Sequence, residues 1–162
     1  MANYIFPAPG VTDVETTLTI SVSGNGSDTG LLLPGLQDIT VNASNDVFTW
    51  TQLDETAKKQ VATTATNSLS MNLVVDKDTF FGTTGSGGAT ATELGVFGAS
   101  IDKTLMDFEL YTGDEDDGTD GKVISGVGYI TGLAPTVSAD APVWVSPITI
   151  TVTGEYTIAD PA

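Results

Sequence analysis

Cysteine, histidine and arginine are all missing from this chain of 162 residues, and each absence removes a class of chemistry. Without cysteine, disulfides, thiolate metal sites and a thiol nucleophile are excluded. Without histidine, the chain has neither the triad of a serine hydrolase nor a histidine-ligated metal. We therefore expect no enzymatic activity, no metal site and no cofactor.

Positive charge is scarce as well, because five lysines stand against 21 acidic residues and give a formal net charge of −16. Proteins that bind nucleic acid neutralise phosphates with Lys and Arg, and anionic lipids attract basic segments. The charge balance argues against both kinds of partner. It favours a surface that repels polyanions.

Long apolar runs are absent too. No stretch approaches the ~20 residues that a membrane span needs. The start, MANYIFPAPG, lacks the basic region and the apolar core of a secretory signal. We expect a protein that is made in the cytoplasm and has no membrane partner.

Strand-forming residues dominate what is present. Thr, Ser, Val and Ala are abundant, and the segment 121–158 is almost entirely strand-forming sequence cut by short Gly, Pro and Asp turns. This composition and length predict a mainly β protein of one domain. Pro7, Pro9 and Gly10 mark residues 1–14 as an extended N-terminal arm, which leaves 15–162 as the domain.

Alternation of apolar and polar residues locates the strands. Leu18, Ile20 and Val22 share one face of the first strand, 15–23. Similar patterns predict strands at 37–42, 46–51, 67–76, 105–111, 123–133, 136–139, 143–145 and 148–158. Thr90 and Glu93 have the spacing of a capping box, which predicts one short helix lying on the sheet. Eight or nine strands and one helix indicate a β-sandwich or a barrel-like fold.

The segment 52–66 departs from the strand pattern. Its acids precede its bases, and we interpret it as a long inter-strand loop with one or two helical turns. Lys58 and Lys59 form the one adjacent basic pair of the chain. Two interpretations of this pair stay open: two solvated lysines, or a contact with an acidic surface on a neighbouring copy.

Most of the large aromatic side chains are expected in the core. Trp144, which lies between Pro142 and Pro147, is a candidate for a subunit contact, with a core position as the alternative. The predicted core aromatics are Phe48, Trp50, Phe80, Phe81 and Phe108.

Acidic residues offer two further candidates for chemistry. The run 114–121 resembles a calcium loop, but Gly118 and Val127 fall where two EF-hand ligands belong, including the bidentate acid. We interpret the run as a solvated turn, and weak divalent-cation binding there stays open. Asp107 and Glu109 share a strand face, as a glycosidase pair could, but we expect both to be solvated.

The order of these elements resembles the major tail tube proteins of long-tailed, siphovirus-type bacteriophages. The resemblance covers roughly residues 15–158. It rests on the order of the elements and on the sequence pattern near the end of the chain, not on a catalytic motif. The segments that carry it are FTWTQLDETAKKQVATT, SLSMNLVVD, ATELGVFGAS and the run from 106 to 155, which contains GVGYITGL, SADAPV and ITVTGE.

This resemblance implies a β-sandwich flanked by a helix, whose copies join edge to edge in six-membered rings. The rings would stack into a tube around the tape measure protein in the virion tail, and DNA would later pass through the lumen. The tail terminator and the distal tail or baseplate proteins are the further partners implied.

The long loop of the family reaches the next ring, and it corresponds here to about residues 51–66. The N-terminal arm 1–14 is a second candidate for this contact. The candidate loop residues are Thr51, Asp54, Glu55, Lys58, Lys59 and Gln60.

Two physical arguments support this interpretation. Regular strands with few Lys or Pro residues at their edges pair readily with another chain, and closure into a ring would provide the hydrogen-bond partners for those edges. An acidic lumen would repel DNA and let it slide. The alternatives are another virion β-module, such as a decoration protein or an Ig-like adhesion domain, and a carbohydrate- or calcium-binding sandwich of a cell surface.

Overall fold

The structure, a computed structural model, describes residues 15–113, 121–140 and 142–161. The arm predicted at 1–14 and most of the acidic turn predicted at 114–121 lie outside the described residues, so the division into arm and domain stays a prediction. In chain order the described elements are β1 (Thr17–Val22), β2 (Leu31–Leu32), β3 (Leu36–Trp50), β4 (Lys59–Val74), α1 (Lys77–Phe81), α2 (Ala91–Ile101), β5 (Met106–Tyr111), β6 (Val123–Leu133), β7 (Val145–Val152) and β8 (Thr157–Ala159).

The strands form one antiparallel sheet in the order β2-β1-β5-β6-β7-β4-β3, with β8 paired to β6 beside this path. Within the described residues, β2 and β3 are its two outer strands, so the sheet is open. The mainly β fold class predicted from composition is confirmed. Among the described residues β2 and β3 do not pair with each other, so the sheet does not close into a barrel.

One face of the sheet carries the hydrophobic core. Leu18 and Ile20 are fully buried on β1, and Leu69, Met71 and Leu73 are buried at alternate positions of β4. The residues between them lie on the opposite face, which is rich in Thr, Ser and Asn. The period-two pattern therefore fixes the register, because a slip by one residue would move the apolar set to the polar face.

Two helices pack on the core where the sequence predicted one. The predicted helix is α2: Thr90 caps it, and the reciprocal hydrogen bonds of the capping box with Glu93 are both present. The helix that the sequence did not indicate is α1, which is five residues long and capped by Asp76. Its single turn places Phe80, which is fully buried, in the core.

Several predicted strand limits are wrong. The strands expected at 37–42 and 46–51 are one continuous strand, β3, and residues 59–66 of the expected loop belong to β4. Residues 51–58 alone connect the two strands. Of the strand expected at 136–139, the structure keeps a single bridge between Thr136 and Val145.

Candidate assembly surfaces

The far ends of β3 and β4 form a two-stranded hairpin that leaves the body of the protein. We call residues 44–66 the ribbon. Every residue from 40 to 66 is exposed, on both faces of the strands, and burial resumes only at Asn67. From the pair Ala43–Asn67 to the last pair, Trp50–Lys59, seven residues rise about 23 Å at the spacing of a strand. The ribbon therefore projects well beyond the core.

The ribbon carries apolar side chains that its own chain does not cover. Phe48 is 59% exposed and Trp50 is 37% exposed, and their rings stack with centroids 5.8 Å apart. Leu53, in the turn, is fully exposed. The prediction that Phe48 and Trp50 belong to the core is therefore wrong. A two-stranded ribbon with both faces in water is marginally stable by itself, so an exposed apolar ribbon indicates a surface that a partner covers.

The base of the ribbon is held by the segment that follows β7. The hydroxyl of Tyr156 lies 2.7 Å from the carbonyl oxygen of Asn42 and 2.9 Å from that of Ser68, and it shares its proton between them. The side-chain amide of Asn67 donates to the carbonyl oxygen of Gly154 over 2.8 Å. These contacts fix the point at which the two strands leave the sheet.

A β-bulge lies just above this base. The register shifts between Asn45 and Val47, and the Asp46 carboxylate accepts a hydrogen bond from the hydroxyl of Thr64 over 3.0 Å. The hydroxyl of Thr63 donates to the carbonyl oxygen of Asp46 over 3.2 Å. Bulges bend and twist the strand that contains them, so this one sets the direction of the ribbon.

The six predicted contact residues all lie at the tip of the ribbon. Four are in the turn, and the other two, Lys59 and Gln60, begin β4. The Lys59 ammonium lies 2.9 Å from a carboxylate oxygen of Glu55 and 2.9 Å from the side-chain oxygen of Gln52. One lysine of the basic pair thus contacts its own turn. The four turn residues are Thr51, Asp54, Glu55 and Lys58.

Trp144 lies at the opposite end of the sheet, in a wholly apolar groove. The groove has a volume of about 380 Å³ and is lined by Val75, Phe81, Phe97, Pro135 and Trp144. The backbone N–H of Val75 donates to the carbonyl oxygen of Trp144 over 2.8 Å, which joins the end of β4 to the start of β7. We call this surface the groove.

The groove is open to solvent. Trp144 is 51% exposed, so its alternative core position is excluded, and Phe81 is 47% exposed, contrary to the prediction that it is buried. The rings of Phe81 and Phe97 lie 5.8 Å apart. The groove, like the ribbon, exposes aromatic side chains to water.

The described residues contain no cluster of metal-ligating side chains and no helix that could span a membrane. Within these residues, no three acidic side chains are arranged to hold a metal ion. Neither α1 nor α2 is long and apolar enough to cross a membrane. Asp107 and Glu109 do lie on one face of β5, as predicted, opposite Ser21 and Thr19 of β1.

No family model matches the chain, and no curated protein matches it significantly. Solved structures do share its fold. A chain from the tail of an empty gene transfer agent particle, determined with C6 symmetry, matches 94% of this chain and 99% of its own length, at 14% identity and a TM-score of 0.63. The SPP1 tail tube matches 94% of this chain and 80% of its own, at 9% identity and a TM-score of 0.64.

The chain has the tail tube fold. The similarity extends to a chain of the anti-feeding prophage baseplate, symmetrised sixfold, which matches 95% of this chain and 97% of its own length, at 8% identity and a TM-score of 0.63. At these identities the shared property is the fold, and the surfaces that this chain uses have to be inferred from its own residues.

The sequence indicated the tip residues and Trp144, but not the extent of the two surfaces to which they belong. The start of β4 contains the run VATTATN, whose small residues carry little alternation, so residues 59–66 gave no strand signal. The groove joins residues from four separate segments, and no local spacing indicates such a site. The exposed sheet edge, in contrast, was predicted from the sequence, because its regular strands contain few Lys or Pro residues.

Proposed function

We propose that this chain is the subunit of a phage-type tail tube. Six copies close into a ring, and rings stack into the tube through which DNA leaves the virion. The observation that carries the proposal is the fold, which matches nearly the whole of a tail chain determined with C6 symmetry. The resemblance of sequence elements favours the flexible, siphovirus type of tail.

Ring closure is supported by the outer edge of β3. This strand is 15 residues long, and its sequence, LQDITVNASNDVFTW, contains neither Lys nor Pro. A long edge strand without such guards pairs readily with another chain, and a monomer usually covers or interrupts it. In a ring, the edge of β3 would meet the opposite sheet edge of the neighbouring copy, which leaves no edge open.

Ring stacking is supported by the ribbon. It extends about 23 Å past the pair Ala43–Asn67, carries uncovered aromatic side chains, and is held at its base by Tyr156. A segment with these properties can span from one ring to the next. Thr51, Asp54, Glu55, Lys58, Lys59 and Gln60 would then lie at the contact between rings.

Passage of DNA is supported by the charge of the chain. Each copy brings a net charge of −16, and the polar sheet face carries Asp38, Asp107 and Glu109 among its hydroxyl and amide side chains. Such a surface has no cluster of cations to retain phosphates, so DNA would slide along it. The role is structural and needs neither an active site nor a cofactor.

The proposal places the protein in the virion tail after assembly in the host cytoplasm. A tape measure protein would occupy the lumen, a terminator would close one end, and distal tail or baseplate proteins would adjoin the other. Similar folds occur in chains of a baseplate and of a tube-terminating cap, which supports partners of this type.

Negative-stain electron microscopy of the purified protein, over a series of concentrations and salt, tests the proposal. We expect hollow tubes or stacked rings with sixfold end views. Dispersed particles under all conditions, also after co-expression with tape measure and tail-tip proteins, would contradict it. They would favour a decoration or adhesion module.

A further inference from the structure

We propose that the tip of the ribbon of one copy docks in the groove of a copy in the next ring. The contact would be apolar at its centre and would set Lys58 against acidic residues at the groove. The inference rests on the proposed tube and names the surface that receives the ribbon.

The first argument is position. β4 begins at Lys59, beside the tip, and ends at Val74, next to the groove residue Val75. Its 16 residues separate the two surfaces by about 50 Å. One strand thus carries a projecting tip at one end and an open groove at the other. Contacts between such unlike surfaces are heterologous, and when they do not close on themselves they propagate along a line.

The second argument is the match of the two surfaces. The tip offers Phe48, Trp50 and Leu53, and the groove offers the exposed parts of Phe81 and Trp144. Both sets stand uncovered on the same chain. Aromatic anchors that enter apolar pockets are the side chains that dominate the binding energy of most interfaces. Docking would remove both exposed patches at once.

The third argument is charge. Asp76 follows Val75 at the groove, and Asp78 lies one turn before Phe81 on α1, with Lys77 between the two acids. The outer part of the ribbon, residues 47–66, holds two acids and two lysines and is neutral, and the whole ribbon, which includes Asp46, has a net charge of only −1 in a strongly acidic chain.

Lys59 already contacts Glu55, whereas Lys58 is exposed at the tip. A cation that faces two carboxylates fixes register and partner more than it adds affinity.

Cross-linking tests the contact directly, because the chain contains no cysteine of its own. The variant Ala57→Cys with Val143→Cys places one thiol in the turn and one beside Trp144 and leaves the apolar anchors in place. On oxidation of assembled tubes it should give a ladder of dimers, trimers and longer species that reduction abolishes. The matched control pairs Ala57→Cys with Ile158→Cys, which places the second thiol at another exposed apolar position. We expect no ladder from the control or from either single variant.

Charge exchange supplies a second test that leaves the core untouched. Lys58→Glu should raise the protein concentration at which tubes appear about tenfold, and adding Asp78→Lys should restore most of the loss. Lys103→Glu, the same charge change at another exposed site, should have little effect.

The outcomes separate the two proposals. Tubes without a ladder, or a ladder equal to that of the control, would overturn the groove as the receptor and leave the tube intact. Failure of Asp78→Lys to restore assembly would overturn the electrostatic part of the contact. If no tubes or rings form, both proposals fall.

Discussion

The carboxylate of Asp28 accepts a hydrogen bond over 2.8 Å from the backbone N–H of Ala91, 63 positions later in the chain. It also accepts from the N–H groups of Val22 and Gly30, over 2.7 and 3.0 Å. One side chain in the turn between β1 and β2 thereby holds the first residue of α2. Burial acts to raise the pKa of Asp28, but the three N–H donors outweigh it, and the pKa lies below its usual value of 3.8.

Asp28→Ala should lower the free energy of unfolding by about 2 kcal/mol, because it leaves three partly buried N–H groups without their charged acceptor. Urea denaturation monitored by circular dichroism measures this. Asp54→Ala removes an acid from the exposed turn and should change the stability by less than about 0.5 kcal/mol. Equal losses in the two variants would contradict the role of Asp28.

The stability that Asp28 supplies should also depend on pH. Its pKa is lower in the folded than in the unfolded chain, so the contribution is complete above the usual aspartate pKa and disappears as the pH falls through and below that value. The difference in stability between the wild type and Asp28→Ala should therefore be constant near neutrality and shrink below about pH 4. A difference that grows in acid would count against this assignment.

Gly95→Ala should destabilise the protein severely, by about 4 kcal/mol or more. Gly95 has φ of 65°, interrupts α2, and lies so close to the end of α1 that an added Cβ would stand 2.7 Å from the carbonyl oxygen of Phe80. Gly24→Ala is the control, because Gly24 also has positive φ but open space around it. Gly24→Ala should lower the free energy of unfolding by about 1 kcal/mol, because only the backbone conformation is unfavourable there. Thermal denaturation distinguishes the two.

The double variant Lys58→Glu with Lys59→Glu should block ring stacking while the fold stays intact. It turns a neutral ribbon tip into an acidic one in a protein that is already strongly acidic, and it breaks the contact of Lys59 with Glu55. We expect rings or small particles in place of tubes by electron microscopy, with an unchanged circular dichroism spectrum. Lys103→Glu with Lys122→Glu has the same change in charge away from the tip, and tubes of normal length should persist. Normal tubes from the first variant would show that the tip is not part of the stacking contact.

Assembly should become more favourable as salt rises. Every subunit adds a charge of −16 to the tube, and this repulsion is screened over about 10 Å at 0.1 M ionic strength. We expect the mean tube length, measured on micrographs at fixed protein concentration, to grow between about 0.05 and 0.5 M NaCl. Tubes that shorten over this range would show that attractive ion pairs between subunits outweigh the repulsion.

The strands and the longer helix of the protein body were predicted well, because strand alternation and a helix cap can be recognised within a few neighbouring residues. Leu18 and Ile20 are buried as their spacing indicates, and Thr90 with Glu93 forms the capping box that their spacing requires. α1 escaped prediction because a single turn is too short for a periodic pattern.

The sequence predicted a strand at 46–51 but not the continuous hairpin of β3 and β4, for a different reason. Glu55 and Lys59 have the spacing of a helical ion pair, and they do meet, but across a turn between strands. The residues on either side of this turn are strands because they pair with each other across the hairpin, as Val47 does with Ala62. The aromatic side chains of such a ribbon resemble core residues in sequence. They are exposed because the hairpin extends beyond the core, and local sequence patterns do not indicate how far a hairpin extends.

The placement of tip and groove at opposite ends of β4 has a consequence for how a tube begins and ends. A stack built from this contact is directional, and its two end faces differ chemically: one displays ribbons and the other displays empty grooves. A protein that starts the tube at the groove-bearing end must offer a projecting apolar finger, and one that caps the other end must offer a receptor. In such a stack, the protein that starts the tube and the protein that caps it would therefore have to carry different surfaces.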